Sequence, residues 1–214
     1  MPRNAAATRA LIIEAADELI YGEGIRGVSM DMIAEKAGVT KRTLYYHFRS
    51  KDELIAAYLE KRDEPTFAIF AGWLGRGEGA LADKVAGMFR RLGQAARNPQ
   101  WKGCGYLRAA AELAGSPGHP ALKVGSSHKK RFEAWLQDLI AAEGLDDAAQ
   151  RAREIMVLLD GAVSQLLLHR DPAYAEAAGR VAAALLGRKV ERSALDRAPD
   201  QPALRLQRSS ASAR

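Results

Sequence analysis

Lys41, Arg42, Thr43, Tyr45, Tyr46 and His47 put six hydrogen-bonding side chains into seven consecutive residues, interrupted only by Leu44. Two carry fixed positive charges, and the others offer hydroxyls or ring nitrogens. Such groups bond phosphate oxygens and the edges of bases. Leu44 and Phe48, four apart, are the apolar positions of this segment, so a helix here buries two side chains and exposes the rest. That is the pattern of a short helix lying in a major groove. A solvated helix end has the same polarity, and what separates the two readings is the segment in front.

Ahead of it, Met30, Ile33, Ala34 and Ala37 fall at i, i+3, i+4 and i+7, one apolar stripe of a short helix. Ser29 stands where its hydroxyl caps the first turn, and Gly38 suits the left-handed residue that ends a helix. Val39 packs under the turn, and Thr40 caps the second helix. Residues 29–48 therefore read as a helix-turn-helix. Lys36, Lys41, Arg42, Arg49 and Lys51 follow one another with no acid between them, a phosphate-facing run. Ser29, Thr40, Tyr45 and Lys51 are assigned to phosphates, and Lys41, Arg42, Thr43, Tyr46 and His47 to base edges. Arg3 and Arg9 are candidates for an N-terminal arm.

This stretch resembles the DNA-binding motif of the TetR family of transcriptional regulators. The likeness runs through Ser29, Ile33, Ala34, Gly38, Val39, Thr40, Leu44, Tyr45, Tyr46, His47 and Phe48, followed by Lys51. Thr8 to Gly24 is similar to the family's first helix, with a glycine-containing exit at Gly22, Gly24 and Gly27. The resemblance is strong over the first quarter to third of the chain; beyond it, only length and helical pattern agree.

The chain has 214 residues, 48% hydrophobic and 27% charged, with a net charge of +6. Acids and bases nearly balance over residues 1–64, so the local basic run, not the total, supports contact with nucleic acid. One cysteine, Cys104, excludes an internal disulfide and fits a reducing compartment. Glu14, Asp17 and Glu18 interrupt the apolar positions of the N-terminal segment, against a secretory leader. No apolar run suits a membrane span, and a cytoplasmic protein is expected.

Helical periodicity dominates, and no segment alternates as a strand does. The expected first helix buries Leu11, Ala15 and Leu19 beside Ile12, Ala16 and Ile20. A fourth helix, capped by Ser50, carries Leu54, Ile55, Tyr58 and Leu59 and is expected to kink or break at Pro65. Gly72 to Gly79 reads as a connector. Further helices are expected at 80–97, 107–114, 120–144, 148–169 and 172–186, the third of these with a stripe of Val124, His128, Phe132, Trp135 and Leu139. The fold class is all-α. A three-helix DNA-binding domain is expected at 5–65, then a larger helical domain at 66–187, for which the resemblance implies ligand binding and dimerisation, and a disordered basic tail at 188–214.

No constellation for catalysis emerges. His128 on an apolar stripe reads as a core or pocket-wall residue rather than a base, and Cys104 as a small hydrophobe. His47, His119, His128 and His169 lack zinc-ligand spacing, no phosphate-binding glycine loop is present, and no cofactor is expected. Aromatic residues gather in the middle third. The resemblance implies a ligand cavity there, for which Trp73, Met88, Tyr106, His128 and Trp135 are the candidate liners. Ala175, Ala178, Gly179, Ala182 and Ala183 give the ninth helix a small-residue face, and apolar residues wrap much of the eighth and ninth helices. A buried pair within one chain accounts for this; the resemblance implies a homodimer through these two helices, with Ala162 and Ala182 at its interface. The combined expectation is a regulator, a repressor released from a palindromic double-stranded operator by a small hydrophobic or aromatic effector. Its rivals are a constitutive DNA-binding protein and a small helical enzyme.

Overall fold

The structure, a computed structural model, describes residues 5–187, and every regular element in it is a helix. In chain order these are α1 (Ala5–Glu23), α2 (Met30–Lys36), α3 (Lys41–His47), α4 (Lys51–Gly75), α5 (Leu81–Ala95), α6 (Gly105–Glu112), α7 (Pro120–Ala142), α8 (Ala148–His169) and α9 (Ala173–Gly187). The tail expected at 188–214, and Arg3, lie outside the described residues.

The turn between α2 and α3 forms as its residues dictate. Ser29 Oγ accepts the Met32 N–H at 3.1 Å, and Thr40 Oγ1 accepts the Thr43 N–H at 3.1 Å. Each such cap is worth about 1 kcal/mol. Gly38 sits at φ +63°, while the Val39 N–H reaches back to the Ala34 carbonyl and the Gly38 N–H to that of Glu35, both at 3.0 Å. These two bonds occupy carbonyls that the end of α2 leaves free. Beneath the turn, Ile12 and Ala16 of α1, Ile33 of α2, Leu44, Phe48 and Leu54 of α4 form one core. On α1 the buried face is centred on Ile12, Ile13, Ala16 and Ile20. Leu11, expected inside, is exposed, and Leu19 is only partly covered, because α1 turns its Ile12–Ile13 edge toward its neighbours.

The expected break at Pro65 does not occur: α4 runs unbroken from Lys51 to Gly75 with Pro65 inside it. Proline removes its own N–H and costs a helix interior about 3 kcal/mol. Packing on both sides offsets this, through Leu54 to Leu59 in the first core and Leu74, Phe67, Phe70 and Trp73 against the second. The glycine-rich connector shrinks accordingly to residues 76–80. One helix therefore belongs to both halves of the molecule.

In the second half α5 packs along α9, and the small residues of α9 explain how. A Cβ on Gly179 would stand 2.8 Å from the Cβ of Phe89, and one on Gly93 3.1 Å from that of Pro172. Ala175 and Ala182 are fully buried and Ala162 nearly so. The small-residue face thus serves close approach within the chain, and Ala162 and Ala182, expected on an interface between chains, are internal. Outward from α8 and α9 point Val157, Leu168 and Val181, at 68%, 74% and 51% exposure. The stripe of α7 also drifts: His128 and Phe132 are buried, but further along Leu136 and Ile140 take the inner positions from Trp135 and Leu139.

Candidate functional site

The outer face of α3 presents Lys41, Arg42, Tyr45 and Tyr46 to solvent, with Leu44 and Phe48 fully buried behind them. Tyr46 is 81% exposed and meets His47 edge-to-face at 5.2 Å. Thr43 and His47 flank the face half-buried. The two cap hydroxyls, Ser29 and Thr40, lie at the start of α2 and α3 as expected, and Thr40 and Thr43 share a hydrogen bond of 2.8 Å.

The basic run is less free than its sequence implies. Lys36 pairs with Glu18 at 2.6 Å and Lys41 with Asp31 at 2.8 Å. The hydrogen bond and charge of Asp31 raise the Lys41 pKa, so the ammonium stays fully charged. Lys51, half-buried, donates to the Ile25 carbonyl at 2.6 Å and so ties the start of α4 to the loop before α2. Among the described residues Arg42 and Arg49 have no carboxylate partner for their guanidinium groups. Arg9 lies over the Phe48 ring at 4.8 Å, which sets the start of α1 against the end of α3.

Behind this domain lies a cavity of about 220 Å³. α4 supplies Arg62, Thr66, Phe70 and Trp73; Tyr106, His128, Phe132 and Asp160 come from α6, α7 and α8; Trp101 and Cys104 from the segment before α6. Of the five expected liners, Trp73, Tyr106 and His128 border it. Met88 is fully buried in the second core but not on the cavity wall, and Trp135 packs edge-on to Phe67 and Phe132 at 5.1 Å each. Arg62, Thr66, Phe70 and Trp73 share one stripe that crosses Pro65, so the local chemistry of a helix breaker conceals it. The helical period continued through that proline reveals it.

The charged groups on the wall are paired. Arg62 is ion-paired with Asp17 of α1 and stacks over Tyr21 at 4.4 Å; Lys129 is ion-paired with Asp160. His128 shares a hydrogen bond with Asp63 through Nδ1 at 2.5 Å, and Arg131 binds the other oxygen of Asp63 at 2.7 Å and Glu64 at 2.6 Å. The imidazole stacks on Tyr106, with centroids 3.9 Å apart and planes 14° apart, while the Tyr106 hydroxyl donates to the Leu59 carbonyl at 3.0 Å. Burial lowers the His128 pKa, outweighing the opposing bond to Asp63. Burial also opposes the charge on Asp63, but the bonds from His128 and Arg131 prevail and its pKa lies below the usual value. Both directions fit a neutral imidazole donating Nδ1–H to an ionised Asp63.

The end of α1 is tied to α6 and the segment before it. Arg108 donates to the Tyr21 carbonyl at 2.7 Å, the Lys102 N–H to Tyr21 Oη at 2.9 Å, and Arg26 to the Glu112 carbonyl at 3.0 Å. Among the described residues no group of three or more His, Cys, Asp or Glu is placed to hold a metal ion, and no helix is long and apolar enough to cross a membrane.

The family model of bacterial regulatory proteins of the tetR family matches residues 12–58. The transcriptional regulator SrpR of Pseudomonas putida is 41% identical over 68 residues, which is 32% of this chain and 32% of that protein. This chain thus matches only about a third of that relative's length. YjdC of Escherichia coli, also an HTH-type transcriptional regulator, is 23% identical over 82% of this chain and 91% of its own. A crystal structure of a TetR-family transcriptional regulator from Streptomyces coelicolor superimposes with a TM-score of 0.70 at 31% identity, covering 84% of this chain and 94% of that one.

Proposed function

The chain belongs to the TetR family of bacterial transcriptional regulators, and we propose that it is a ligand-responsive repressor, released from a palindromic operator when a small hydrophobic molecule enters its cavity. It is a DNA-binding regulator and not an enzyme. The observation that carries the ligand-responsive reading is the continuity of α4. Its first residue, Lys51, is tied to the loop before the helix-turn-helix, and its Arg62, Thr66, Phe70 and Trp73 form one wall of the cavity. A helix of this length, about 37 Å at 1.5 Å per residue, carries a displacement at one end to the other. Arg62 reinforces the link, since it borders the cavity and pairs with Asp17 of α1.

In this reading α3 enters the major groove. Arg42, Tyr46, Thr43, His47 and Lys41 face base edges, with Lys41 exchanging Asp31 for DNA. Ser29, Thr40 and Tyr45 face phosphates, and Lys51 serves its own loop as much as the DNA backbone. Two chains pair through the outer faces of α8 and α9, where Val157, Gly161, Leu168 and Val181 are exposed, so that two copies of α3 address two half-sites. Ligand in the cavity favours a dimer whose recognition helices no longer match the half-site spacing. Selection of binding sites from random DNA, followed by footprinting, tests this. A two-fold symmetric protected site, lost on adding a compound that stabilises the protein, is the expected result; binding without sequence preference makes the chain a constitutive DNA-binding protein instead.

A further inference from the structure

We propose that the ligand is an uncharged aromatic compound of about two rings bearing a hydroxyl or N–H group, and that His128 Nε2 accepts the hydrogen bond from that group. The proposal rests on the cavity being the effector site and adds to it the chemical class of the effector. Two observations about the wall select neutrality. The Arg62 charge is balanced by Asp17 and that of Lys129 by Asp160, so a charged ligand meets no uncompensated opposite charge and loses its hydration on entering. Between these pairs the lining is aromatic, with Phe70, Trp73, Trp101 and Phe132. The size follows from the volume: an apolar cavity of about 150 Å³ holds benzene, and this one has about 220 Å³.

The polar requirement comes from His128. Its side chain borders the cavity, and the residue is buried, at 6% exposure. Nδ1 is committed to Asp63, and Nε2 has no protein partner among the described residues. A neutral imidazole that donates through Nδ1 keeps a lone pair on Nε2, so that atom accepts and does not donate. The carboxylate behind Nδ1 makes Nε2 a better acceptor, and the stack on Tyr106 holds the ring in place before any ligand arrives. Nε2 is open to the cavity rather than sealed in the core, so a ligand O–H or N–H can reach it and is worth about one hydrogen bond. The proton stays on the ligand oxygen or nitrogen, and no bond is made or broken.

The test uses the full chain and three matched probes, 2-naphthol, 2-methoxynaphthalene and naphthalene, by equilibrium dialysis at pH about 7.5, well below the ~10 at which a phenol ionises. The wild type should bind 2-naphthol about tenfold more tightly than 2-methoxynaphthalene, the size of one hydrogen bond to a buried partner. His128→Phe keeps a flat ring on Tyr106 but no acceptor, and should bind both probes within about twofold of each other. His128→Gln returns an acceptor and should restore part of the preference. Equal binding of 2-naphthol and its methyl ether by the wild type overturns the proposal and leaves the cavity reading standing. So does a preference that survives in His128→Phe, or one that Asp160→Asn abolishes while His128→Phe does not. Failure of all three probes to bind the wild type removes the cavity reading and the proposal together.

Discussion

Beneath the helix-turn-helix, Ile12, Ile33, Leu44, Phe48 and Leu54 are fully buried, and the gap bordered by Ile20, Ile25 and Tyr58 measures about 10 Å³, at or below what one water needs. The second core, between α4, α5, α7 and α8, leaves about 220 Å³ among apolar and aromatic side chains, with the paired charges of Arg62 and Lys129 on its wall. A filled core holds an outer surface in one geometry, which suits the proposed insertion of Arg42 and Tyr46 into the groove of a rigid duplex. A core with room can be completed by a molecule from outside, and its neighbours settle differently when that happens. In the proposed mechanism the first half of the chain works through its outside and the second through its inside, with α4 common to both.

The sharpest contrast lies between the inner and outer faces of the α8–α9 pair. Ala182→Arg places a cation in a site with no exposure, at a cost of several kcal/mol, and should prevent folding, read as loss of the cooperative thermal transition. Arg at Leu168 and Val181, both outward, should leave helicity intact and convert a dimer to a monomer in sedimentation. A wild-type monomer at micromolar concentration, or an intact dimer in the double variant, breaks the assignment of that face.

Next in size is a direct comparison of the two cores. Leu44→Ala in the first should cost toward the upper end of the ~2–5 kcal/mol range for such truncations, because its neighbours are packed on every side. Leu159→Ala, on the cavity wall, should cost toward the lower end, because part of its surface already lacks neighbours. Urea denaturation of both variants measures the difference; equal costs would contradict the picture of one filled and one open core.

On the outer surface, Arg42→Ala with Tyr46→Ala should weaken binding to a selected operator by about 1–3 kcal/mol for each base that the variant no longer reads, with the thermal transition unmoved. Unchanged affinity, read by fluorescence anisotropy, removes this face from the interface. The smallest effect is on pH dependence. Burial holds His128 below its usual pKa of 6.5, so the unfolded chain takes up a proton before the folded one does. Stability is therefore present above pH 6.5 and declines as pH falls below it. His128→Phe should flatten that part of the melting profile, and an unchanged slope assigns it to other groups.

What could be read from residue types follows the same division. The helix-turn-helix is largely local: Ser29, Gly38 and Thr40 bond residues three to five positions away, and the spacing of Leu44 and Phe48 marks their buried face, so hydrophobic period with capping chemistry is enough to place them. The pairing of Lys41 with Asp31, Lys36 with Glu18 and Lys51 with the Ile25 carbonyl joins separate elements, which a run of like charges conceals. In the second half the misplacements share one cause. Pro65 has the local chemistry of a breaker, but distant packing overrides it. The alanines and Gly179 of α9 show that two surfaces approach closely without showing whether the partner is α5 or a second chain; Phe89, at 2.8 Å from a Cβ on Gly179, settles that for the inner face. Met88 and Trp135 are as aromatic or apolar as Trp73 and Tyr106, and only the rotation of α5 and α7 decides which of them meet the cavity.

The central claim is that cavity and operator are coupled. It is tested most directly by measuring the affinity of the wild-type chain for its selected operator with and without a saturating concentration of a compound that raises the melting temperature. Coupling predicts operator binding weakened by about tenfold or more, and by reciprocity the operator must weaken binding of the compound by the same factor. A compound that binds and stabilises the protein while operator affinity stays the same in both directions would contradict it.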